Sequence, residues 1–150
     1  MKATLRATVF CLCLSMTATF ALAQGDPIRS VMLTPGELAW VDRGAIGHTA
    51  VIVGDSTKTG MYAVLLKMRS GHRVEPHSHP DNRVATILSG TFYVGYGEKF
   101  DESKLKALPA GSVYTEPANQ PHFAWAKDGE VIIQGVGIGP SGTTPVRPSQ

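Results

Sequence analysis

Short runs of apolar and β-branched residues, separated by turn residues, fill most of the chain after residue 48. Val, Ile, Tyr and Thr are common within the runs, and Gly, Pro, Asn and Asp stand between them, which is the pattern of short strands joined by turns. We therefore predict an all-β barrel or sandwich. The predicted strands are 49–53, 61–69, 74–79, 84–88, 91–96, 112–115, 122–126 and 130–136. Ser89-Gly90 predicts a tight hairpin between two of them.

One segment interrupts the strand pattern and predicts a short helix. In residues 101–108, Asp101 is a suitable N-cap and Glu102 is favourable in the first turn, while Pro109 would end the helix. The charged residues of this segment indicate a solvated face over the barrel.

The first 23 residues have the pattern of a secretory signal peptide. Lys2 and Arg6 give a charged start, a mostly apolar run follows, and Ala21-Leu22-Ala23 is a small-x-small cleavage site. The run is short and interrupted by Ser and Thr, which argues against a membrane anchor. We therefore expect a periplasmic or secreted protein that begins at Gln24.

Removing the signal changes the chemistry open to the mature chain. Cys11 and Cys13 leave with it, so His, carboxylate and water remain as metal donors. Lys plus Arg falls from 14 to 12 while Asp plus Glu stays at 12, so the formal net charge falls from +2 to 0. A neutral chain lacks the basic surface needed for general nucleic-acid binding.

The remaining 127 residues (150 minus 23) are enough for one domain with its own core. Residues 24–45 are polar, contain Pro and Gly and lack a sustained period, which predicts an N-terminal arm. The barrel is expected at 46–138. Residues 139–150 are rich in Pro, Ser and Thr and predict a flexible tail.

Two histidines one residue apart are the first candidates for chemistry. Successive side chains of a strand point to opposite faces, so His77 and His79 share one face and can both reach one metal ion. The alternative is a pair of solvent-facing histidines beside a Pro-containing turn, since His-x-His alone is a weak signal.

The surrounding residues resemble the two motifs of the cupins. Residues 71–90 follow Gly-x5-His-x-His-x3-(Glu)-x6-Gly, and residues 111–126 resemble Gly-x5-Pro-x-Gly-x2-His-x3-Asn at Gly111, Pro117 and His122. The resemblance, to small single-domain exported cupins, implies a cupin-like β-barrel, that is, a double-stranded β-helix or jelly roll. It also implies one divalent transition metal (Fe, Mn, Zn or Ni) bound by His77, His79 and His122.

Three positions depart from these motifs. Asn119 stands in place of Gly, which is mild because Asn tolerates the left-handed backbone better than most residues. Ala126 stands in place of Asn and removes one polar group. Arg83 stands where a carboxylate is the usual fourth ligand, and a protonated guanidinium has no lone pair to offer a cation. We therefore expect a three-histidine site completed by water or substrate.

Strand alternation places Arg83 on the same face as Ala85 and Ile87. If this face is the barrel interior, Arg83 points toward the metal and needs a negative partner. One alternative is an anionic substrate group clamped by Arg83. The other is a structural ion pair with Glu75 or Glu116.

Alternation along the strand that carries His122 also places its residues on two faces. Ala124 and Ala126 share the face of His122 and leave room for a ligand. Phe123 and Trp125 lie on the other face, against another sheet layer or a partner subunit, so a homodimer is an open alternative.

Four further side chains are expected to be structural. His48 and His72 are flanked by ordinary loop or strand-edge residues, where a solvated histidine is commoner than a metal ligand. Tyr93 and Tyr96 are expected in the barrel wall.

These observations predict an exported metal-binding cupin whose partner is a small, anionic molecule. The first hypothesis is a metal-dependent enzyme: an oxygenase with Fe(II), or an isomerase, lyase or hydrolase with Zn(II), Mn(II) or Ni(II). The second is a non-catalytic periplasmic binder or sensor of a small molecule or metal, which the lack of an evident inward general base keeps open. The third is a barrel that has lost its metal. The fold class does not select among them.

Overall fold

The structure, a computed structural model, describes residues 27–147, which form eleven short strands and three 3-10 turns. The strands are β1 Val41–Asp42, β2 Gly47–Val53, β3 Gly60–Met68, β4 Arg73–Ser78, β5 Arg83–Ser89, β6 Thr91–Tyr96, β7 Lys106–Pro109, β8 Val113–Glu116, β9 His122–Trp125, β10 Val131–Gly139 and β11 Thr144–Pro145. The turns are Pro35–Glu37, Gly44–Ile46 and Glu102–Lys104. The all-β prediction is confirmed, and each predicted strand is present with bounds shifted by a few residues at most.

The strands form two sheets in which all neighbours are antiparallel. One sheet has the order β1-β2-β3-β10-β5-β8 and the other has β11-β4-β9-β6-β7. Several strands that follow one another in the chain lie in different sheets, so the chain crosses repeatedly between them and encloses a barrel, as a jelly roll does.

The core lies between the two sheets, where alternate residues of the strands point inward. Its buried members are Met68, Ala85, Ile87, Phe92, Val94, Leu108, Ala124, Ala126, Val131 and Ile133. Ala85 and Ile87 face this interior, as the alternation along β5 predicts. Truncating a fully buried side chain such as Ile87 to Ala would cost about 2–5 kcal/mol of unfolding free energy.

The predicted signal peptide, with Cys11 and Cys13, lies outside the described residues. Within residues 27–147, no helix has the length and apolar character needed to cross a membrane. The predicted bounds of the arm, barrel and tail stay predictions.

The predicted hairpin at Ser89-Gly90 is wrong. β5 and β6 belong to different sheets, so Gly90, with φ 77°, turns the chain at a corner between them. A Cβ on Gly90 would overlap the carbonyl oxygen of Glu130, which explains the requirement for glycine. The dipeptide signals a sharp turn, but it does not say whether the flanking strands pair.

The helix predicted at 101–108 is only partly present, because Glu102–Lys104 form a 3-10 turn and Lys106–Pro109 form strand β7. Asp101 does cap a turn, because its side chain accepts a hydrogen bond from the Ser103 N–H at 3.0 Å, but the turn ends at Lys104. The residues that follow form β7 and pair with β6 at the edge of the sheet. Leu108 is buried there, so cross-strand pairing and burial override the local helix preference.

Two residues of the segment for which the composition predicts a flexible tail form a short strand. This strand, β11, pairs with β4, with Thr144 opposite Ser78 and Pro145 opposite His77. A composition poor in apolar residues limits how much surface a segment can bury, but the free edge of β4 offers backbone hydrogen bonds instead. The end of the described chain therefore lies against the strand that carries His77.

Candidate metal site and cavity

Three histidines from neighbouring strands meet at one end of the barrel. His77 lies on β4, His79 follows that strand, and His122 on β9 is the register partner of His77. One ring nitrogen from each histidine lies within 4.8 Å of the others. His79 and His122 are 5% and 3% exposed. The face shared by His77 and His79 is present, and the second motif brings His122 to it.

The other ring nitrogen of each histidine contacts a backbone carbonyl. The pairs are His77 Nδ1 with Glu75 at 2.8 Å, His79 Nδ1 with Gly142 at 2.6 Å, and His122 Nδ1 with Gln120 at 3.2 Å. A carbonyl oxygen only accepts, so each Nδ1 donates its proton. Nε2 is then the nitrogen left to face the centre of the cluster, the arrangement by which proteins orient histidine ligands.

Burial keeps two of these imidazoles neutral. Desolvation lowers the pKa of His77 from 6.5 to about 4, and desolvation also lowers the pKa of His79. A neutral imidazole that donates from Nδ1 carries a lone pair on Nε2. These nitrogens can therefore bind a cation at pH 7 without first losing a proton.

A buried carboxylate faces the same centre. Glu116, at the end of β8, has one oxygen 3.4 Å from Nε2 of His79 and the other 3.6 Å from Nε2 of His122. Lone pairs that face one another repel, so this arrangement calls for a positive charge between them. Three imidazoles beside a carboxylate are a donor set that suits a divalent transition metal, so the residues present fit the predicted ion.

Arg83 lies opposite Glu116 in the β5–β8 register. Its Nη1 is 3.5 Å from the Glu116 carboxylate, its Nε is 3.3 Å from Asp81, and its Nη2 donates to the Ser141 hydroxyl. Of the two glutamates expected as partners, Glu116 is present, whereas Glu75 is exposed and makes no ion pair with Arg83. The contacts support a structural ion pair, and the substrate-binding role of Arg83 stays a proposal.

Sequence reasoning missed Asp81 and its partner. Tyr62 on β3 donates a hydrogen bond to Asp81 at 2.5 Å, and Asp81 is 7% exposed. Burial would raise the pKa of Asp81, but hydrogen bonds from Tyr62 and Ser141 and the charge of Arg83 hold that pKa below its usual value. Asp81 is therefore an ionised partner for Arg83. Asp81 is two residues from His79 and two residues from Arg83, the spacing at which strand residues share a face. This spacing was the available signal, although Asp81 lies in the turn between β4 and β5.

Tyr114 is a second residue that the sequence did not single out. Its hydroxyl donates to Glu116 at 2.9 Å, and it lines the cavity described below. Burial raises the pKa of Tyr114 well above its usual value, so the hydroxyl keeps its proton. The spacing of Tyr114 and Glu116, two residues apart on one strand, could have indicated that they share a face.

A cavity of about 450 Å³ opens beside the three histidines. Its volume is in the range of small-molecule sites, and most of its walls are apolar. The apolar lining includes Val64, Leu66, Met68, Val74, Phe92, Ala124 and Ile133. Glu116, Tyr114 and Arg83 also line it and contact one another near the histidines. The shape and lining suit a ligand with an apolar body and one polar end.

The aromatic residues beside His122 pack within the chain. Phe123 is fully buried and packs against Phe100, with ring centroids 5.0 Å apart. Trp125 lies under the guanidinium of Arg73, 4.1 Å from its ring centroid. Neither lines the cavity, whereas Ala124 does and Ala126 is in the core.

The residues expected to be structural are not members of the cluster, although Tyr96 lies opposite His122 in the β6–β9 register. His48 and His72 belong neither to the histidine cluster nor to the cavity lining. Tyr93 donates to Asp128, and Tyr96 donates to the Thr115 carbonyl at 2.6 Å.

Asn119 links the two motifs through its backbone. It adopts φ 61°, the left-handed conformation that its place in the motif predicts. Its N–H donates to the carbonyl of His79 at 2.7 Å. The turn before β9 therefore fixes the backbone of His79, a candidate ligand of the first motif.

Comparison with known proteins identifies the family. The family profile of the ChrR cupin-like domain matches residues 29–137. No curated protein sequence matches the chain.

Solved structures share the fold at low sequence identity. An RmlC-like cupin from Shewanella frigidimarina NCIMB 400 is 17% identical, with a TM-score of 0.60 over 81% of this chain and 96% of that chain. The polyketide cyclase RemF from Streptomyces resistomycificus is 13% identical, with a TM-score of 0.63 over 81% of this chain and 89% of that chain. A mutant of salicylate 1,2-dioxygenase from Pseudoaminobacter salicylatoxidans is 11% identical, with a TM-score of 0.57 over 69% of this chain and 31% of that chain. That mutant has also been solved with gentisate.

At these identities the likeness shows the fold and leaves the activity open. The match to the family covers most of the chain, including both histidine motifs and the strands around the cavity. The chain therefore belongs to the ChrR cupin-like family of the cupin superfamily.

Proposed function

We propose that the protein is a metal-dependent enzyme that acts on a small, oxygen-bearing molecule bound in the cavity. One observation carries the proposal: three imidazoles and a carboxylate converge beside a cavity whose other walls are mostly apolar. His77, His79 and His122 would hold one Fe, Mn, Zn or Ni ion. When bound, the ion would supply Lewis acidity or, as Fe(II), oxygen activation.

The chain's own residues suit the remaining tasks of such a site. The apolar walls would bind the body of the substrate and exclude water from it. Tyr114 lines the cavity, and its hydroxyl, which keeps its proton because burial raises its pKa, donates to Glu116 and orients that carboxylate.

The charges near the histidines favour an anionic ligand. Arg83 is positive, Asp81 and Glu116 are negative, and burial keeps the imidazoles of His77 and His79 uncharged, so these groups sum to one negative charge. A divalent ion would change this sum to one positive charge. A carboxylate or enolate of the substrate would neutralise it, with Arg83 as a second contact for its oxygen.

Metal content tests the proposal. The protein should bind close to one transition-metal equivalent per chain, measured by elemental analysis after removal of free metal. His77→Ala and His122→Ala should lose this equivalent, while His48→Ala is the matched control and should keep it. Equal loss in all three variants would show an adventitious ion. A wild-type protein that binds no transition metal would overturn the proposal.

Turnover decides between the enzyme and the non-catalytic binder. Metal-loaded protein should consume dioxygen or convert a small aromatic or enolic acid, with His122→Ala inactive. Saturable binding of such acids without conversion would favour the binder or sensor.

We also propose that the protein is exported, on the support of the charged start, apolar run and cleavage site in residues 1–23. The intact mass of the exported protein should match residues 24–150. Alkylating reagents should leave that mass unchanged because Cys11 and Cys13 are gone. A mass that includes Met1 would contradict export by this route.

A further inference from the structure

We infer that Glu116 is a fourth protein ligand of the metal, an inference that rests on the metal site proposed above. In the first motif the position expected to supply a carboxylate holds Arg83, which cannot bind a cation. The β5–β8 register places Glu116 directly opposite Arg83. A carboxylate is therefore still present at this end of the barrel, on the neighbouring strand.

The distances fit two ligands of one ion. Nitrogen and oxygen ligands lie about 2.0–2.2 Å from such a metal, so two ligands of one tetrahedral ion are roughly 3.3–3.6 Å apart. Glu116 lies 3.4 Å from Nε2 of His79 and 3.6 Å from Nε2 of His122. A direct charged hydrogen bond would be shorter, about 2.7–2.9 Å. The three imidazole donors lie within 4.8 Å of one another, so the longest of these separations would shorten by up to roughly 1.2–1.5 Å around one tetrahedral ion.

The surroundings of Glu116 hold the carboxylate and leave lone pairs free. Tyr114 donates to one oxygen at 2.9 Å, and Arg83 lies 3.5 Å from the other. Each carboxylate oxygen has two lone pairs, so each keeps one for a metal. Glu116 is 9% exposed, and water can therefore do little to stabilise its charge.

A simpler role for Glu116 would be to neutralise Arg83, but Asp81 already does so. The Nε of Arg83 lies 3.4 Å and 3.3 Å from the two oxygens of Asp81. Glu116 therefore supplies a second negative charge, which Arg83 cannot also neutralise.

The first experiment removes the charge of Glu116 and keeps its shape. Glu116→Gln should lower the affinity for Zn²⁺ and Co²⁺ by more than about 100-fold, beyond the roughly 10- to 100-fold expected when only an outer partner of a ligand is lost. Affinity is measured by competition with a chelator. Glu75→Gln is the matched control, because Glu75 is an exposed carboxylate that also lines the cavity, and it should leave the affinity unchanged.

The second experiment exchanges the two side chains across the strand pair. The double variant Arg83→Glu/Glu116→Arg keeps the net charge and returns a carboxylate to position 83. Its metal affinity should recover to within about tenfold of the wild type, since a ligand is restored. The visible absorption of the Co²⁺-loaded protein, altered in Glu116→Gln, should return toward the wild-type spectrum. Circular dichroism of each metal-free variant checks the fold. If the double variant does not fold, Glu116→Asp replaces it. Glu116→Asp keeps a carboxylate and should therefore lose less metal affinity than Glu116→Gln.

The outcomes separate this inference from the proposed function. Full affinity in Glu116→Gln, with loss in His122→Ala, would overturn the role of Glu116 and leave the metal site standing. Recovery of affinity in Arg83→Gln/Glu116→Gln, which removes both charges, would show that Glu116 only neutralises Arg83. A wild-type protein that binds neither Zn²⁺ nor Co²⁺ would overturn the metal site itself.

Discussion

The two sheets bring different chemistry to the same end of the barrel. One sheet, through β4, β9 and the residue after β4, supplies three imidazoles, each oriented by a backbone carbonyl. The other sheet, through β5 and β8, supplies Arg83 and Glu116, which are charged and contact each other. The first group provides lone pairs for a cation, and the second group provides buried charges that must balance.

This difference predicts how substitutions on each side change metal binding and stability. An imidazole that is neutral when buried leaves no stranded charge behind when it is replaced, so its loss should affect metal binding more than stability. A buried ion that loses its partner is poorly solvated, so losses on the charged side should also lower the free energy of unfolding. The following predictions test that separation.

Among the residues of the site, the largest effect on stability is expected at Arg83. Arg83→Ala leaves Asp81 and Glu116 as buried carboxylates without their shared partner and should lower the unfolding free energy of the metal-free protein by about 2–4 kcal/mol. Urea unfolding in the presence of a chelator measures it. Arg69→Ala is the control, because the Arg69–Asp42 pair is exposed and should contribute about 1 kcal/mol or less. If Arg83→Ala is as stable as the wild type, the charged side would not differ from the imidazole side in its effect on stability. Arg83 would then serve only to bind a ligand.

Removing residues 141–150 tests the imidazole side through an outer contact. The truncation deletes the Gly142 carbonyl that accepts from His79, together with the Ser141 hydroxyl on Arg83. Metal affinity should fall by roughly 10- to 100-fold, the usual cost of losing an outer partner of a ligand. Deleting residues 148–150 alone is the control. Equal affinity in both forms would mean that His79 needs no support from the chain end.

Acid should weaken the metal-free protein through its neutral imidazoles. The pKa of His77 is about 4 in the folded protein and 6.5 as its ordinary value, so between these limits the unfolded chain binds more protons. Stability is therefore full above pH 6.5 and falls as the pH falls toward 4, by less than about 1.4 kcal/mol per pH unit for this one group. Comparing urea midpoints at pH 7 and pH 5 measures the fall. His77→Gln should show a smaller loss of stability between pH 7 and pH 5. A loss equal to that of the wild type would assign the effect to other groups.

The smallest effect is expected at the turn that joins the two motifs. Asn119→Ala should cost about 1 kcal/mol, because an Ala side chain gains no local hydrogen bond to offset the left-handed backbone at φ 61°. Asn119→Gly, which restores the usual motif residue, should stay within about 0.5 kcal/mol of the wild type. Thermal unfolding of both variants gives the comparison, and a stable Asn119→Ala would show that the turn can relax.

The imidazole side was accessible to sequence reasoning because its signals are local. The spacing of His77 and His79 follows from strand alternation, and the glycine and proline positions around His122 identify its turn. The strands, including their inward faces at Ala85 and Ile87, follow from the same alternation.

The charged side was less accessible because it depends on pairing between distant strands. Neither Arg83 nor Glu116 indicates in sequence that β5 and β8 are neighbours, so sequence reasoning placed Glu75 first and Glu116 second, and the register reverses that order. The same limit explains the errors elsewhere. Gly90 marks a turn without saying which strands pair, and Lys106–Pro109 becomes a strand because β6 offers an edge.

The contact between His79 and the Gly142 carbonyl has a consequence for the order of assembly. During synthesis both first-motif histidines leave the ribosome well before Gly142 is made. His79 can then be held in its Nδ1-donating form only after residue 142 has emerged. A nascent chain that has not yet reached Gly142 therefore lacks a fully oriented site, and tight metal uptake follows the synthesis of the segment after β10.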